Sequence, residues 1–597
     1  MFDRTLPIVS SLVVFLAALF TVSERPVSAQ TVDWSTTING SSIDIAYATR
    51  ERSDGTIVIA GTTSSSNFPA PPGTPPASGG GNDDAFVACF DPSLSGAAQL
   101  LWTTFLGGDD LDVAYELRIT SDDRVWVTGY TESSDFPVTV GAPQSNRNGA
   151  SDAFVARLDV DGGIEFSTYF GGSGIDAGAG LALENDEVWF AGVTSSPDLP
   201  TVTGAVQNSL AGGFDLFLAR LGFAGSLTQV TYLGGSADES LVPSSVPGQS
   251  FELDRISLDR ASDGRLAIVT SSLSADFPLV ASGSPPSSGL RDGVVAVIDP
   301  LFSGVPGLVW STYFGGTADD QPFEVRWLDD GTLAVAGTTV STNLPLTAGA
   351  FQSTYGGGDF DGFVARFDPS ESGASALLYS SYFGGSGDDS IVGMSIVEGT
   401  RVATVGNSTA SVPTTTDAWI PTHLAGFGFS GRLQIFDFAE SGGDSLEFST
   451  FLGQSGGSIA WGVDAAPDRV TVVGWSAGDD YPALNPFMTD TDFIGAVATS
   501  ATLPTTPIGA AFTRGDVNGD GGIDIADPIQ GLQILFAGGA SLCNDAEDAN
   551  DDGTVDIADM VFLLNVLFVP LTPALPEPSD CDVDPSADAL RCQVPTC

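Results

Sequence analysis

The sequence predicts a mainly β fold: a seven-bladed β-propeller of four-stranded blades, closed by its N-terminal strand and followed by a small α-helical C-terminal module. Three observations carry this reading. A phrase close to Ser-Thr-Tyr-Phe-Gly-Gly recurs, with its first Gly at Gly107, Gly171, Gly234, Gly315, Gly384 and Gly453, at gaps of 64, 63, 81, 69 and 69 residues. Each interval holds the same order of β-rich runs, and a fixed period of this kind is the mark of a repeat architecture. The seventh copy lacks a fourth strand, while an orphan fourth strand, Trp34 to Ile38, opens the repeat region.

Within one interval, Ala114–Thr120 alternates in polarity and reads as a strand, and Arg124–Thr131 is a β-branched and aromatic strand. A turn-rich loop with Asp135-Phe136-Pro137 follows. Asp152–Asp159 is a third strand and Ile164–Phe170 a fourth, ending at the Gly pair. These are period-2 or β-rich runs bounded by Gly, Pro and Asp. The loop Pro recurs at Pro69, Pro137, Pro200, Pro278, Pro345, Pro413 and Pro482. The third strand opens at Asp84, Asp152, Asp215, Asp292, Asp361 and Asp492, with a blurred copy near Gly428. A vacancy at one end and a spare strand at the other predict ring closure, which removes exposed sheet edges. An open stack of sheets would leave the vacancy unfilled.

Composition narrows function. The chain has 597 residues, 75 of them Asp or Glu and 20 basic, for a formal net charge of −55. All the basic residues are Arg. So acidic a chain repels nucleic-acid phosphates. Without Lys it has neither a Schiff-base nor a phosphate-loop lysine. With His423 as its one His it cannot build a two-His zinc motif. Its 42% apolar content separates it from disordered acidic chains.

Residues 1–29 read as a secretory signal: Arg4, an apolar stretch from Ile8 to Phe20, and a small-residue cleavage site at Val27-Ser28-Ala29. An uncleaved anchor is the alternative. No later stretch is long enough to span a bilayer. The expected location is outside the cytoplasm, secreted or at the cell surface. The remaining expected divisions are the propeller over 31–500, a Pro/Thr-rich linker over 501–512, a helical module over 513–570 and a Cys-containing tail over 571–597.

Five residues after the first Gly stands an acidic column: Asp44, Asp112, Asp176, Glu239, Asp320 and Asp389, with Ser458 in the seventh copy. One reading is a collar around a mouth of the ring that binds calcium or a polycation, since carboxylates so gathered repel unless screened. The other is that each acid caps its own Gly-rich turn. Two carboxylates across a sugar bond would also suffice for a glycosidase, but acids repeated in every blade point to structure, and no unique pair stands out.

Two twelve-residue loops follow the linker. The first offers Asp516, Asn518, Asp520, Gly522, Asp524 and Asp527 at positions 1, 3, 5, 7, 9 and 12. The second, 32 residues on, offers Asp548, Asn550, Asp552, Thr554, Asp556 and Asp559. Oxygens at alternate positions wrap one ion, Gly at position 6 permits the sharp turn, and position 7 supplies a carbonyl. The spacing predicts one Ca2+ per loop. Ile523 and Val555 at position 8 are expected to join a small core. Apolar helices are expected over about Pro528–Phe536 and Met560–Phe568, Pro528 suiting a first helical turn.

Two resemblances accompany these readings. The phrases VTGYTESSDFP, GAFQSTYGGGDFDGFVARFD and YSSYFGGSGDD resemble the SBBP-type bacterial β-propeller repeat, which implies architecture and little about activity. The tandem loops resemble a type I dockerin, which implies calcium-dependent folding and docking to a cohesin-like or cell-envelope partner. Cellulosomal dockerins commonly carry Ser or Thr at positions 10 and 11. This chain has Ile525-Ala526 and Ile557-Ala558 there, so the resemblance transfers calcium binding better than partner identity.

Cys543, Cys581, Cys592 and Cys597 are expected to form two disulfides, with three pairings open. Cys89, in a column where other copies carry Arg157, Arg220 and Arg366, reads as an incidental thiol without a basic neighbour. His423 reads as a loop or packed residue. The functional expectation is a non-enzymatic scaffold, its propeller face recognising protein or glycan and its calcium module attaching or assembling it. The alternative is a dockerin-borne polysaccharide-degrading enzyme, an O-glycosyl hydrolase or lyase.

Overall fold

The computed structural model describes residues 31–71, 83–184, 187–200, 205–222, 225–240, 256–280, 290–300, 307–423, 428–453, 457–477, 495–502, 514–518, 523, 525–537, 548–550 and 555–569. Residues 1–29, read as a secretory signal, together with Cys543, Cys581, Cys592, Cys597 and the disulfides expected among them, lie outside the described residues. So do the loop positions Asp520, Gly522, Asp524, Asp552 and Thr554.

Seven four-stranded antiparallel sheets are present. Blade 1 comprises Asp44–Glu51, Ile57–Thr63, Asp84–Phe90 and Leu100–Leu106, each strand paired with its neighbour in sequence. Blades 2 to 6 repeat this order, with first strands Asp112–Ile119, Asp176–Glu184, Ser257–Arg260, Asp320–Trp327 and Asp389–Glu398. Blade 7 has Ser458–Ala466, Arg469–Ser476 and Gly495–Thr502, and its fourth strand is the N-terminal Thr31–Ile38. The first strands pack side by side around the axis, the seventh against the first, so the ring is closed. The final strand reaches Thr502, into the expected linker. The third strand of blade 7 begins at Gly495, which pairs with Ser476 as Asp84 pairs with Thr63. The column residue there is therefore Gly495, and Asp492 precedes the strand in sequence. The apolar Phe493-Ile494 that follows Asp492 mimics a strand start, and only the pairing register separates the two.

The 81-residue interval has a local cause. In blade 4 the column acid Glu239 bridges Ser272, yet the first strand resumes only at Ser257. The other six first strands carry a bulge, at Tyr47, Tyr115, Ala179, Phe323, Val392 and Trp461. A bulge pushes a carbonyl toward the second strand. Opposite it stands Gly61, Gly129, Gly192, Gly337, Gly406 or Gly474, where a Cβ would collide with that carbonyl. Blade 4 has Thr270 in the same register.

The recurrent phrase is a junction device. The Tyr hydroxyl donates to a loop carbonyl of its own blade, Tyr169 to Ser133 at 2.9 Å, Tyr232 to Ser196 at 2.8 Å and Tyr382 to Ser341 at 2.7 Å. This pins the Asp-Phe-Pro loop. That loop's Asp or Asn then accepts from the turn after the preceding blade's Gly pair, Asp109 N–H to Asp135 and Ser173 N–H to Asp198 at 2.9 and 2.8 Å. Ser236 N–H to Asp276 and Thr317 N–H to Asn343 repeat the tie between blades 3 and 4 and blades 4 and 5, at 2.8 and 3.0 Å.

The C-terminal helices are α1, Ala526–Ala537, and α2, Ile557–Phe568. Both begin earlier than the apolar pattern indicated, because each loop's position-12 Asp sits in the first turn, where a carboxylate faces unpaired N–H groups. Val517, Ala549, Met560 and Leu563 form a buried core joined by Ile523. Among the described residues no helix is long and apolar enough to cross a membrane.

Candidate functional site: blade junctions, axis and C-terminal loops

The acidic column caps turns. Asp44, Asp112, Asp176, Glu239, Asp320 and Asp389 are all fully buried. Each accepts from the N–H of the residue four before it, at 2.7 Å for Gly40, Gly316 and Gly385, 2.8 Å for Gly108 and Gly172, and 3.1 Å for Gly235. Hydroxyls from the second strand and the residues just after it complete the shell: Ser65, Ser133, Ser196, Ser272 and Ser341 donate at 2.7–3.0 Å, and Thr63, Thr339 and Ser408 also donate. All six acids are buried and capped onto their turns, as the turn reading expects, rather than exposed at a mouth of the ring.

Sequence reasoning missed the partner of this column. The third-strand residue of the preceding blade lies across the first Gly, which has no room for a side chain between the two acids. The pairs are Asp84/Asp112, Asp152/Asp176, Asp215/Glu239, Asp292/Asp320 and Asp361/Asp389. At the junction of blades 6 and 7 both positions are Ser, Ser430 and Ser458, and in blade 7 the third-strand position is Gly495. Burial pushes Asp44, Asp176 and Asp320 up to about 6 and Asp112, Glu239 and Asp361 up to about 7. One junction departs further. Arg432 is fully buried where Phe86, Phe154, Phe217 and Phe363 stand in other blades. Its Nη1 lies 3.8 Å from Asp389 Oδ1, and its guanidinium stacks 4.9 Å from the Phe383 centroid.

The axis carries a second constellation that the repeat does not encode. In one register of the first strands stand Arg50, Arg118, Ala182, Asp259, Arg326, Ser395 and Asp464. Two residues earlier come Glu116 and Glu324. Arg50 pairs with Glu116 at 3.1 Å and lies 3.9 Å from Asp464, and Arg326 pairs with Glu324 at 2.8 Å. Arg326 of blade 5 also interacts with Glu116 of blade 2 and Asp464 of blade 7, so these charges share the central space. Part of the set has structural work. Asp464, Asp259 and Ser395 each accept a first-strand N–H of the next blade, from Glu51, Trp327 and Ala465 at 2.9, 2.8 and 3.1 Å. The one sequence signal was charge of both signs at a single column of otherwise apolar strands.

Cys89 does have a basic neighbour: Arg52 Nη1, just after the first strand of the same blade, lies 3.8 Å from its sulfur. Burial outweighs that charge and pushes the thiol up to about 11, so an inert thiol remains the reading. His423 packs against Phe451, with ring centroids 5.8 Å apart.

In the C-terminal loops the described ligand positions behave as a matched pair. Asp527 accepts the N–H of Asn518 at 3.2 Å, and Asp559 accepts that of Asn550 at 3.3 Å. In both loops the position-12 carboxylate reaches back to position 3. Asp516, Asp527, Asp548 and Asp559 are fully buried. Arg514, also fully buried, donates to the Asp548 carbonyl at 2.7 Å and ties the loops together. Asp556 caps α2, bonding Ala558 N–H at 2.5 Å. Among the described residues no group of three acidic, His or Cys side chains is placed to hold a metal.

No family model matches the chain. Among curated proteins it is similar to the regulatory protein FlaEY of Caulobacter vibrioides, 28% identical over 318 residues, 51% of this chain and 31% of that protein. The chain thus spans under a third of that relative's length. Solved structures similar to it include the α-L-arabinofuranosidase Arb93A of Fusarium graminearum, at 9% identity and TM-score 0.33 over 63% of this chain and 92% of that one. The α-L-arabinanase of Penicillium chrysogenum aligns at 10% identity and TM-score 0.33, over 69% and 99%. A europium-containing methanol dehydrogenase aligns at 9% and 0.29, over 79% and 93%. Likenesses at these levels carry no argument about chemistry.

Proposed function

We propose that the protein is a binding scaffold, exported or displayed at the cell surface, with the propeller as a platform for protein or glycan and the C-terminal module as a calcium-dependent attachment unit. The observation that carries the calcium reading is the matched burial of Asp516, Asp527, Asp548 and Asp559 in two loops of one spacing. A buried carboxylate takes up a proton or is paired with a cation, and loops of four acids each on one twelve-residue spacing favour the cation. The donor types suit Ca2+: positions 1, 3 and 12 offer hard oxygens in both loops, Asp548 lies beside Asp559, and Asn550 Oδ1 is buried without a hydrogen-bond partner among the described residues. Asp516, Asn518 and Asp527 would hold one ion and Asp548, Asn550 and Asp559 the other, joined by Asp520, Gly522, Asp524, Asp552, Thr554 and Asp556 from the sequence pattern.

Attachment is supported by duplicated exposed apolar residues. Ile525 and Ile557 are 52% and 54% exposed, Ile529 and Val561 49% and 51%, Phe536 and Phe568 72% and 61%, each pair 32 residues apart. Exposed large apolar side chains in such a set mark an interaction surface. The Ile at position 10 of each loop belongs to it. A dockerin-like module meeting a cohesin-like or cell-envelope partner is the reading this favours. Titrating Ca2+ into the full chain tests it: two equivalents bound, abolished by Asp516→Ala with Asp548→Ala, supports the module. No calcium uptake rejects it.

A further inference from the structure

At the Gly-pair end of the ring, the two strands nearest the axis continue for one hydrogen-bonded rung beyond the acid column. In blades 1 to 3 the residue just before the first strand is apolar: Ile43, Leu111 and Ile175. In blades 4 and 5 that residue is Asp238 or Asp319, and the apolar one stands across the rung. Leu273 N–H donates to the Asp238 carbonyl at 2.9 Å and Val340 N–H to that of Asp319 at 2.8 Å. Five successive blades thus carry one large apolar residue each on this rung. No sequence column records the set, because it changes strand between blades 3 and 4. Ile43, Leu273 and Val340 are 39%, 43% and 42% exposed, and Leu111 and Ile175 are half-buried. Monomeric proteins seldom expose large apolar side chains in a set unless a partner covers them.

Charge says what that partner is. Asp110, Asp238, Asp319 and Asp388 stand beside the arc, exposed or half-buried, and none makes an ion pair among the described residues. They are distinct from the buried column acids. Of the described propeller arginines only Arg147, Arg291 and Arg432 lie toward this end, and Arg291 and Arg432 are buried. Arg147 is engaged by the Glu132 and Ala150 carbonyls. The others, Arg50, Arg124, Arg220 and Arg469 among them, lie toward the opposite end. The arc therefore sits in an uncompensated negative field, which draws in and orients a cationic partner. The chain enters the ring at Thr31 and leaves it at Thr502, which pair with each other at that opposite end. Neither continuation of the chain begins beside the arc.

We propose that this arc docks a basic amphipathic segment of a partner protein, its apolar side chains on Ile43, Leu273 and Val340 and its Lys or Arg side chains on the neighbouring acids. Apolar and acidic residues face each other across one strand spacing, about 4.8 Å. Adjacent side chains on a helix are about 5–6 Å apart, so neighbouring apolar and basic residues on one helix meet both. The proposal rests on the reading of the propeller as a platform and names the class of protein it holds.

The probes are three labelled peptides of equal length, built from Lys and Leu, from Lys and Ser, or from Glu and Leu. Each is titrated with the full chain in Ca2+ and followed by fluorescence anisotropy. The expected result is saturable micromolar binding of the Lys/Leu peptide, roughly tenfold weaker for Lys/Ser and absent for Glu/Leu. Added salt should weaken it, since exposed charges are screened. Ile43→Ser combined with Leu273→Ser and Val340→Ser should weaken Lys/Leu binding by a similar factor, with the melting temperature unchanged because these side chains are exposed. Leu101→Ser with Leu378→Ser, at positions 40% and 43% exposed toward the other end of the ring, should leave binding as it was. No binding of the Lys/Leu peptide, binding that the triple substitution leaves untouched, or equal binding of Glu/Leu overturns the proposal. If it is overturned while a glycan or protein array still yields a propeller ligand, the platform reading stands without this arc. If the arrays yield none, both fall.

Discussion

Trp34 donates its indole N–H to Oε1 of Gln99 at 3.2 Å, across 65 residues of chain. Trp102 and Trp310 do the equivalent in their own blades, reaching the Val160 and Glu371 carbonyls of the next blade at 3.1 and 3.0 Å. Trp34 belongs to the N-terminal strand, yet it occupies the fourth-strand seat of blade 7 and grips blade 1. Closure is therefore more than edge pairing, because the donated strand brings an inter-blade contact of the kind Trp102 and Trp310 make.

Trp34→Ala is expected to cost about 3–5 kcal/mol, since a side chain 2% exposed is removed together with its hydrogen bond. Thermal unfolding would show it as a lower melting temperature. Deleting residues 31–38 should do more, leaving blade 7 with three strands and an unpaired edge open to another chain. Light scattering should then report aggregation. A deletion variant that melts as the intact chain does would contradict the closure.

The buried acids set a pH dependence whose sign can be worked out. Asp112, Glu239 and Asp361 lie near 7 in the folded chain, Asp44, Asp176 and Asp320 near 6, against about 4 unfolded. The folded state holds more protons. Its advantage is complete below about pH 4 and is lost as pH rises through 6 to 7. The exposed turn acids Asp54, Asp122, Asp198 and Asp276 are held low by hydrogen bonds and act oppositely below pH 4. Melting temperature should peak at mildly acidic pH and fall toward pH 8. Asp112→Asn, which keeps an acceptor for Gly108, should flatten the fall, with at most about 4 kcal/mol at stake. A melting temperature that climbs from pH 5 to 8 would falsify the assignment.

Arg432 gives a sharper version of the same test. Replacing it with Phe, the residue of four other blades, leaves Asp361 and Asp389 buried together without their cation. Removing one partner of a buried pair costs about 3–5 kcal/mol. The loss should be evident at pH 8 and largely recovered at pH 5, where the acids are protonated. Equal destabilisation at both values would mean that shape, not charge, governs the site.

The repeat made the blades, their count and the closure legible, because backbone pairing, Gly pairs and pinned loops recur at fixed intervals. It left opaque whatever depends on neighbours distant in sequence. Asp84 and Asp112 are 28 residues apart, and their meeting across Gly107 follows only from blade-to-blade packing. Arg52 reaches Cys89 because the sheet of blade 1 brings the end of its first strand to its third, and Arg50 reaches Asp464 because the ring closes. The register of blade 7 failed because Phe493-Ile494 offers the same apolar signal as a true strand start. The twelve-residue loops proposed to take Ca2+ rest on local spacing, which one loop encodes alone.

Chelation supplies the last prediction. If Ca2+ neutralises the buried acids of the C-terminal loops, its removal leaves Asp516, Asp527, Asp548 and Asp559 buried in a small core, with Arg514 the one buried Arg among the described residues of the module. The core of Val517, Ala549, Met560 and Leu563 is too slight to hold such repulsion, because few apolar side chains are buried there. The propeller has its own hydrophobic clusters and is expected to melt as before. Chelator should therefore expose residues 513–570 to protease and lower the helical dichroism of α1 and α2, while the main thermal transition stays in place. Restoring Ca2+ should reverse both, and Asp559→Asn should weaken that recovery. If chelator leaves proteolysis and dichroism of the module unchanged, the loops fold without the ion and the calcium reading fails.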